Sequence, residues 1–142
     1  MKLSLICESI ENLIRNGSLL KQASMLINKS FNIQIPNVSI QLTNNGHFSH
    51  IDNGVIYLRP DMDSTQAVRE LVHEIGHKIF NNLGDEFQSN WLNLVLESTK
   101  LKHFTMFHAD EIFARIFEAT VFNDKLEPMW QVLQQRLIEK LS

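Results

Sequence analysis

The sequence predicts an α+β domain in which a small sheet is set among helices. Three observations predict it. Apolar residues recur at helical spacing over most of the chain. Short alternating runs between Val38 and Leu58 read as strands. Turn residues punctuate those runs, at Asn45-Gly46 and at Asp52-Asn53-Gly54. The predicted order is two helices, a small sheet and then four helices.

Leu3, Ile6, Ile10, Leu13 and Ile14 set the first helix, and Gly17 stops it. A second helix covers 18–29, with Leu19, Leu20, Ala23, Leu26 and Ile27 as its apolar set. Pro36 and Asn37 break that pattern. Val38, Ile40 and Leu42 then alternate with polar residues, as do residues 47–51. Val55–Leu58 is a third strand, ended by Pro60. These strands are expected to pair as a small, mainly antiparallel meander. Asp63 or Ser64 caps the next helix, which runs to about Leu83 before Gly84. A helix over 86–99 presents Phe87, Trp91, Leu94 and Val95. A segment rich in His and Phe, 103–108, leads to a helix over 109–122. Pro128 opens the last helix, which ends near Leu141.

The 142 residues suit one domain, 1–142, around a single core. A net charge of −3 gives no reason to expect a nucleic-acid partner. No apolar run is long enough to span a bilayer, so no membrane partner is expected. The apolar start is short, and Glu8 and Glu11 follow it, unlike a secretory signal. A cytoplasmic location is the default expectation, with a specialised secretion route as the exception. Cys7 is the single cysteine and cannot form an internal disulfide.

The segment that carries chemistry is His73-Glu74-Ile75-Gly76-His77. Residues at i and i+4 share one helix face, about one turn apart. Two imidazoles so placed can both reach a metal at about 2.0–2.1 Å. Glu74 projects beside that metal and can accept a proton from water held there. The competing reading is a pair of ordinary helix histidines. Helical phase argues against a core role for them. Val68, Leu71, Val72, Ile75 and Ile79 form one apolar stripe, and His73 and His77 point away from it. Gly76 is costly inside a helix, by about 1 kcal/mol against Ala. It makes sense where another segment or a substrate must come close.

A catalytic zinc site needs a third protein ligand and an open fourth position. The spacing of the metzincins is absent, since Phe80 and Leu83 stand where they require Gly and His. The downstream candidates are Glu97, His103, His108, Asp110, Glu111 and Glu118. Glu111 and Glu118 share one side of their helix, with the small Ala114 between them. Phase alone does not choose between the two.

The two segments, His73 to His77 and Asp110-Glu111-Ile112-Phe113-Ala114-Arg115-Ile116-Phe117, together resemble the gluzincin signature of the lethal factor and Pro-Pro endopeptidase family. The resemblance covers roughly residues 57–122. It implies a compact, minimal zincin fold. In the family a helix reading Glu-x-Phe-Ala-x-x-Phe supplies the third zinc ligand, and the matching residue here is Glu111. The implied protein is a zinc endopeptidase with one Zn2+ per chain, held by His73, His77 and Glu111. It would act on a specific protein substrate, as bacterial or phage effectors do. Such enzymes take an extended peptide along a sheet edge, here Val55–Leu58 or its neighbour 47–51. The family also places a tyrosine seven residues before its ligand Glu, where it helps polarise the substrate carbonyl. That position is Phe104, which leaves His103 and His108 as candidate catalytic donors. Two alternatives stand beside this reading. One is a compact regulatory protease of the repressor-cleaving type. The other is a non-catalytic binding module on a degenerate zincin scaffold.

Overall fold

The computed structural model describes residues 9–44 and 48–142. Leu3, Ile6, Cys7, the Asn45-Gly46 turn and His47 lie outside them. Ser9 caps helix α1, Ile10–Arg15, by accepting a hydrogen bond from the backbone N–H of Asn12 at 3.2 Å. Helix α2, Ser18–Ser30, turns Leu19, Ala23 and Ile27 fully inward. Their spacing of four keeps all three on one stripe.

The strands are β1 (Ser39–Leu42), β2 (His50–Asp52) and β3 (Val55–Leu58). The hairpin from β2 to β3 is antiparallel, with Asp52 opposite Val55. Asn53 and Gly54 make its two-residue turn at φ 51° and 78°. Positive φ at both positions is what a type I′ hairpin requires. The expected meander is corrected at β1. This strand pairs in parallel with β3, Ser39 opposite Val55 and Leu42 opposite Leu58. The sheet is therefore mixed, in the order β1-β3-β2. The tight hairpin occupies one side of β3, and β1 fills the other. An alternating sequence encodes which face is buried, but not the direction in which a strand pairs. Central β3 is the most apolar strand, with Ile56 and Leu58 fully buried. It offers no edge to a peptide; β2 does.

Four helices follow: α3 (Ser64–Asn82), α4 (Asp85–Thr99), α5 (Met106–Val121) and α6 (Pro128–Leu141). Asp63 caps α3, its Oδ1 accepting from the backbone N–H of Gln66 at 2.8 Å. Val68, Leu71, Val72, Ile75 and Ile79 are all buried, as their stripe predicts. Phe80, Phe87, Trp91 and Phe113 form an aromatic cluster where α3, α4 and α5 meet. The indole N–H of Trp91 donates to the carbonyl of Ala109 at 2.9 Å, so its one polar atom is satisfied. Each such ring contributes about 1.5–3 kcal/mol by leaving water. Pro128 stands in the first turn of α6.

The packing that positions the site is that of α5 on α3. An added Cβ at Gly76 would stand 3.2 Å from the Ala114 Cα and 3.0 Å from the Phe117 ring. Any larger residue at 76 would push the two helices apart. Gly76 and Ala114 thus set the close approach that brings the polar faces of α3 and α5 together. No helix among the described residues is long and apolar enough to cross a membrane.

Candidate metal centre

His73 and His77 stand one turn apart on α3, with ring centroids 4.9 Å apart. Across from them on α5, Glu111 directs one oxygen at both rings. Its Oε1 lies 3.2 Å from His73 Nε2 and 3.0 Å from His77 Nε2. One ligand atom from each of the three residues falls within 4.8 Å of the others. Ligands around a tetrahedral ion at about 2.0–2.1 Å stand about 3.3 Å apart. The observed spacing is close to that, and two imidazoles with one carboxylate are donors that zinc accepts. The residues therefore fit a zinc ion. The cleft supplies the open side that a catalytic site requires.

The other ring nitrogens are held by carboxylates as well. His73 Nδ1 donates to Glu118 Oε1 at 2.9 Å, and His77 Nδ1 donates to Asp110 Oδ1 at 2.8 Å. Such bonds fix the ring orientation and present Nε2 to the centre. Glu118 is pinned in turn by Arg69, whose Nε donates to Oε2 at 2.5 Å. Arg69 also pairs with Asp124 and lies over the Phe122 ring. Arg115 Nε donates to Glu111 Oε2 at 2.8 Å, which leaves Oε1 for the histidines.

These pairings set the charge states. Burial opposes a proton on His73, but its bonds to Glu111 and Glu118 outweigh that and raise it to about 9. Burial also opposes a proton on His77, and its bonds to Asp110 and Glu111 raise it to about 10. Glu111 shows the reciprocal effect. Burial works against its charge, yet the two histidines hold it well below the usual carboxylate range. Both shifts favour the doubly protonated imidazole near neutral pH, with one N–H toward Glu111 and one toward its outer carboxylate.

Glu74 differs from all of these. It is 6% exposed, and burial pushes its pKa up against the pull of His77 and His73. Among the described residues no group hydrogen-bonds its carboxylate. It lines the same cleft as the triad, a space of about 610 Å³. A buried carboxylate with a raised proton affinity, free to meet a water, suits a general base.

His103 and His108 do not line that cleft. His108 lies inside α5, which begins at Met106 rather than near 109. There its Nδ1 accepts from the backbone N–H of Thr105 at 3.1 Å, one half of a capping box. Its ring stacks on Phe104 at 4.8 Å, and His103 meets the same Phe104 ring edge-on. Tyr57 stacks on His50 at 5.1 Å and also stays out of the cleft. Besides His73 and His77, donors that do line it are Ser49, His50, Asn81 and Arg115. Asp110 and Glu118, candidate ligands by sequence, hydrogen-bond the outer nitrogens of His77 and His73. Nothing in the sequence marks Arg69 as the clamp on Glu118.

Comparison of the chain with protein-family models, with curated proteins and with solved structures finds no match. The resemblance read from the two motifs is carried by those residues alone.

Proposed function

We propose that the chain is a zinc-dependent peptidase that hydrolyses a peptide bond in a protein or peptide substrate. One observation carries this reading. Two Nε2 atoms and a carboxylate oxygen converge on one point of a cleft, and beside them stands the largely buried carboxylate of Glu74, which no described residue hydrogen-bonds. Bound by His73, His77 and Glu111, zinc would polarise the carbonyl and make water acidic enough to react near neutral pH.

Glu74 takes a proton from the attacking water as its oxygen bonds to the carbonyl carbon. The C–N bond then breaks, and Glu74 passes that proton to the leaving nitrogen. The acid formed passes its remaining proton to the amine, so the products are a carboxylate and an ammonium. Glu118 and Asp110 hold the two imidazoles in place throughout, and Arg69 holds Glu118. The free edge of β2 lies along the cleft at His50 and Ile51. It offers main-chain pairing to an extended substrate.

The test is Glu74→Gln, which keeps volume and removes the base. Cleavage of a peptide library should fall by about 10²–10⁴-fold while zinc content stays the same. Hydrolysis that survives the substitution would overturn the reading.

A further inference from the structure

We infer that Phe48 and Phe107 form the subsite that selects the substrate, and that it takes one large apolar side chain of an extended peptide. The inference rests on the peptidase reading for its substrate class. Phe48 is 80% exposed and Phe107 is 79% exposed, whereas the next large apolar side chain described, Val132, is 57% exposed. The two most exposed apolar residues described thus both line the cleft that holds Glu74 and the triad. They come from different elements. Phe48 precedes edge strand β2. Phe107 lies on α5 four residues before Glu111, hence one turn away on the same face.

Neither ring stands on a loose tip. His50 Nδ1 donates to the carbonyl of Phe48 at 2.8 Å. The hydroxyl of Ser49 donates to Glu70 at 2.5 Å and accepts from the backbone N–H of Arg59 at 3.1 Å. Glu70 is bound by Arg59 as well, at 2.6 Å. The backbone at 48–49 is therefore tied to both β3 and α3. Phe107 sits inside the capping box that starts α5. Both rings stand in water on backbone that these hydrogen bonds hold in place.

The cleft is also asymmetric. Beyond Phe48 and Glu74 its other half is lined by Arg59, Arg69 and Arg115 with their acidic partners. Only the half beside Phe107 is lined by both rings. An extended peptide following β2 would lay its polar backbone on the polar floor. One of its side chains would pass between the rings, where an apolar group gains and a charged one loses.

The test uses short peptides that differ only in where a single Phe replaces Ala. Zinc-loaded wild type is assayed for cleavage, and zinc-loaded Glu74→Gln for equilibrium binding. Binding should favour one placement of Phe over the all-Ala peptide by about 10–100-fold. Wild type should cut next to that position. Phe48→Ala and Phe107→Ala should each bring the Phe-to-Ala ratio toward one, while Phe107→Leu keeps most of it. Equal binding of all peptides, or a ratio that neither Ala variant changes, overturns the subsite. If wild type cuts nothing but the Phe preference appears and depends on both rings, the peptidase reading fails and the subsite stands.

Discussion

Two pairs of histidines lie close to helix α5, and their surroundings set them apart. In His73 and His77 every ring nitrogen faces a carboxylate, from Glu111, Glu118 or Asp110. In the other pair, His103 and His108, the rings rest on Phe104, and among the described residues neither pairs with a carboxylate. The first pair is raised to about 9 and about 10 by its partners. The difference lies in what holds the second nitrogen of each imidazole. Carboxylates on both sides orient the ring and strengthen it as a donor. An aromatic shelf orients a ring too, but adds no negative charge to a centre.

The sharpest way to break this comparison is to delete each pair in turn. His73→Ala and His77→Ala should each abolish zinc binding at micromolar metal. His103→Ala should leave about one zinc per chain. Elemental analysis of purified protein reads both. Zinc lost on removal of His103 and kept on removal of His73 would reverse the assignment.

The next effect is smaller and isolates the outer carboxylates. Asp110→Asn and Glu118→Gln keep shape but remove the charge behind each imidazole. Each should weaken zinc by about 10–100-fold in a competition titration with a chromogenic chelator. Arg69→Met should act through Glu118 and produce a smaller loss of the same kind. Full affinity in Glu118→Gln would show that the His73–Glu118 bond is incidental.

The pH dependence of the metal-free protein sharpens the same contrast. His73 and His77 are raised above their unfolded value of 6.5. Their contribution is therefore full below about pH 6.5 and is lost as pH rises through about 9 and about 10. Glu111 is lowered, so its contribution is present above its unfolded value of 4.5 and is lost as pH falls below that. In chelator, Tm should be highest between about pH 4.5 and 6.5 and should decline toward pH 10. His73→Gln should flatten the alkaline limb. An alkaline limb that His73→Gln leaves unchanged would show that other groups set it.

Much of this centre is legible in the sequence because it rests on helical period. The stripe from Val68 to Ile79 fixes which side of α3 faces the core, and so which side carries His73 and His77. Helical period left Glu111 and Glu118 both open, and only the resemblance of Glu111, Phe113, Ala114 and Phe117 to the family motif chose between them. The roles of Asp110 and Glu118 were not legible, because they depend on how α5 crosses α3. The parallel pairing of β1 was hidden for a similar reason, since alternation is the same in either direction. The start of α5 was misplaced because a capping box usually ends in Glu or Gln, and here His108 takes that place. Nothing in the sequence marks Phe48 and Phe107 as exposed.

The smallest effect belongs to His108. Its Nδ1 satisfies the Thr105 N–H, one of the free donors at the start of α5. Its ring adds a stacked contact with Phe104. His108→Ala removes both and should destabilise the chain by about 0.5–2 kcal/mol, the usual scale for a helix cap. His108→Gln can restore the capping bond but not the stacking, and should recover part of the loss. Zinc content should be unchanged in both variants, because α5 is fixed further along by Phe113 and Phe117. Denaturant unfolding of the zinc-loaded and metal-free forms measures the cost. An equal loss in the two forms marks a structural histidine. A loss confined to the zinc-loaded form would tie His108 to the centre after all, and the two pairs would differ in degree rather than in kind.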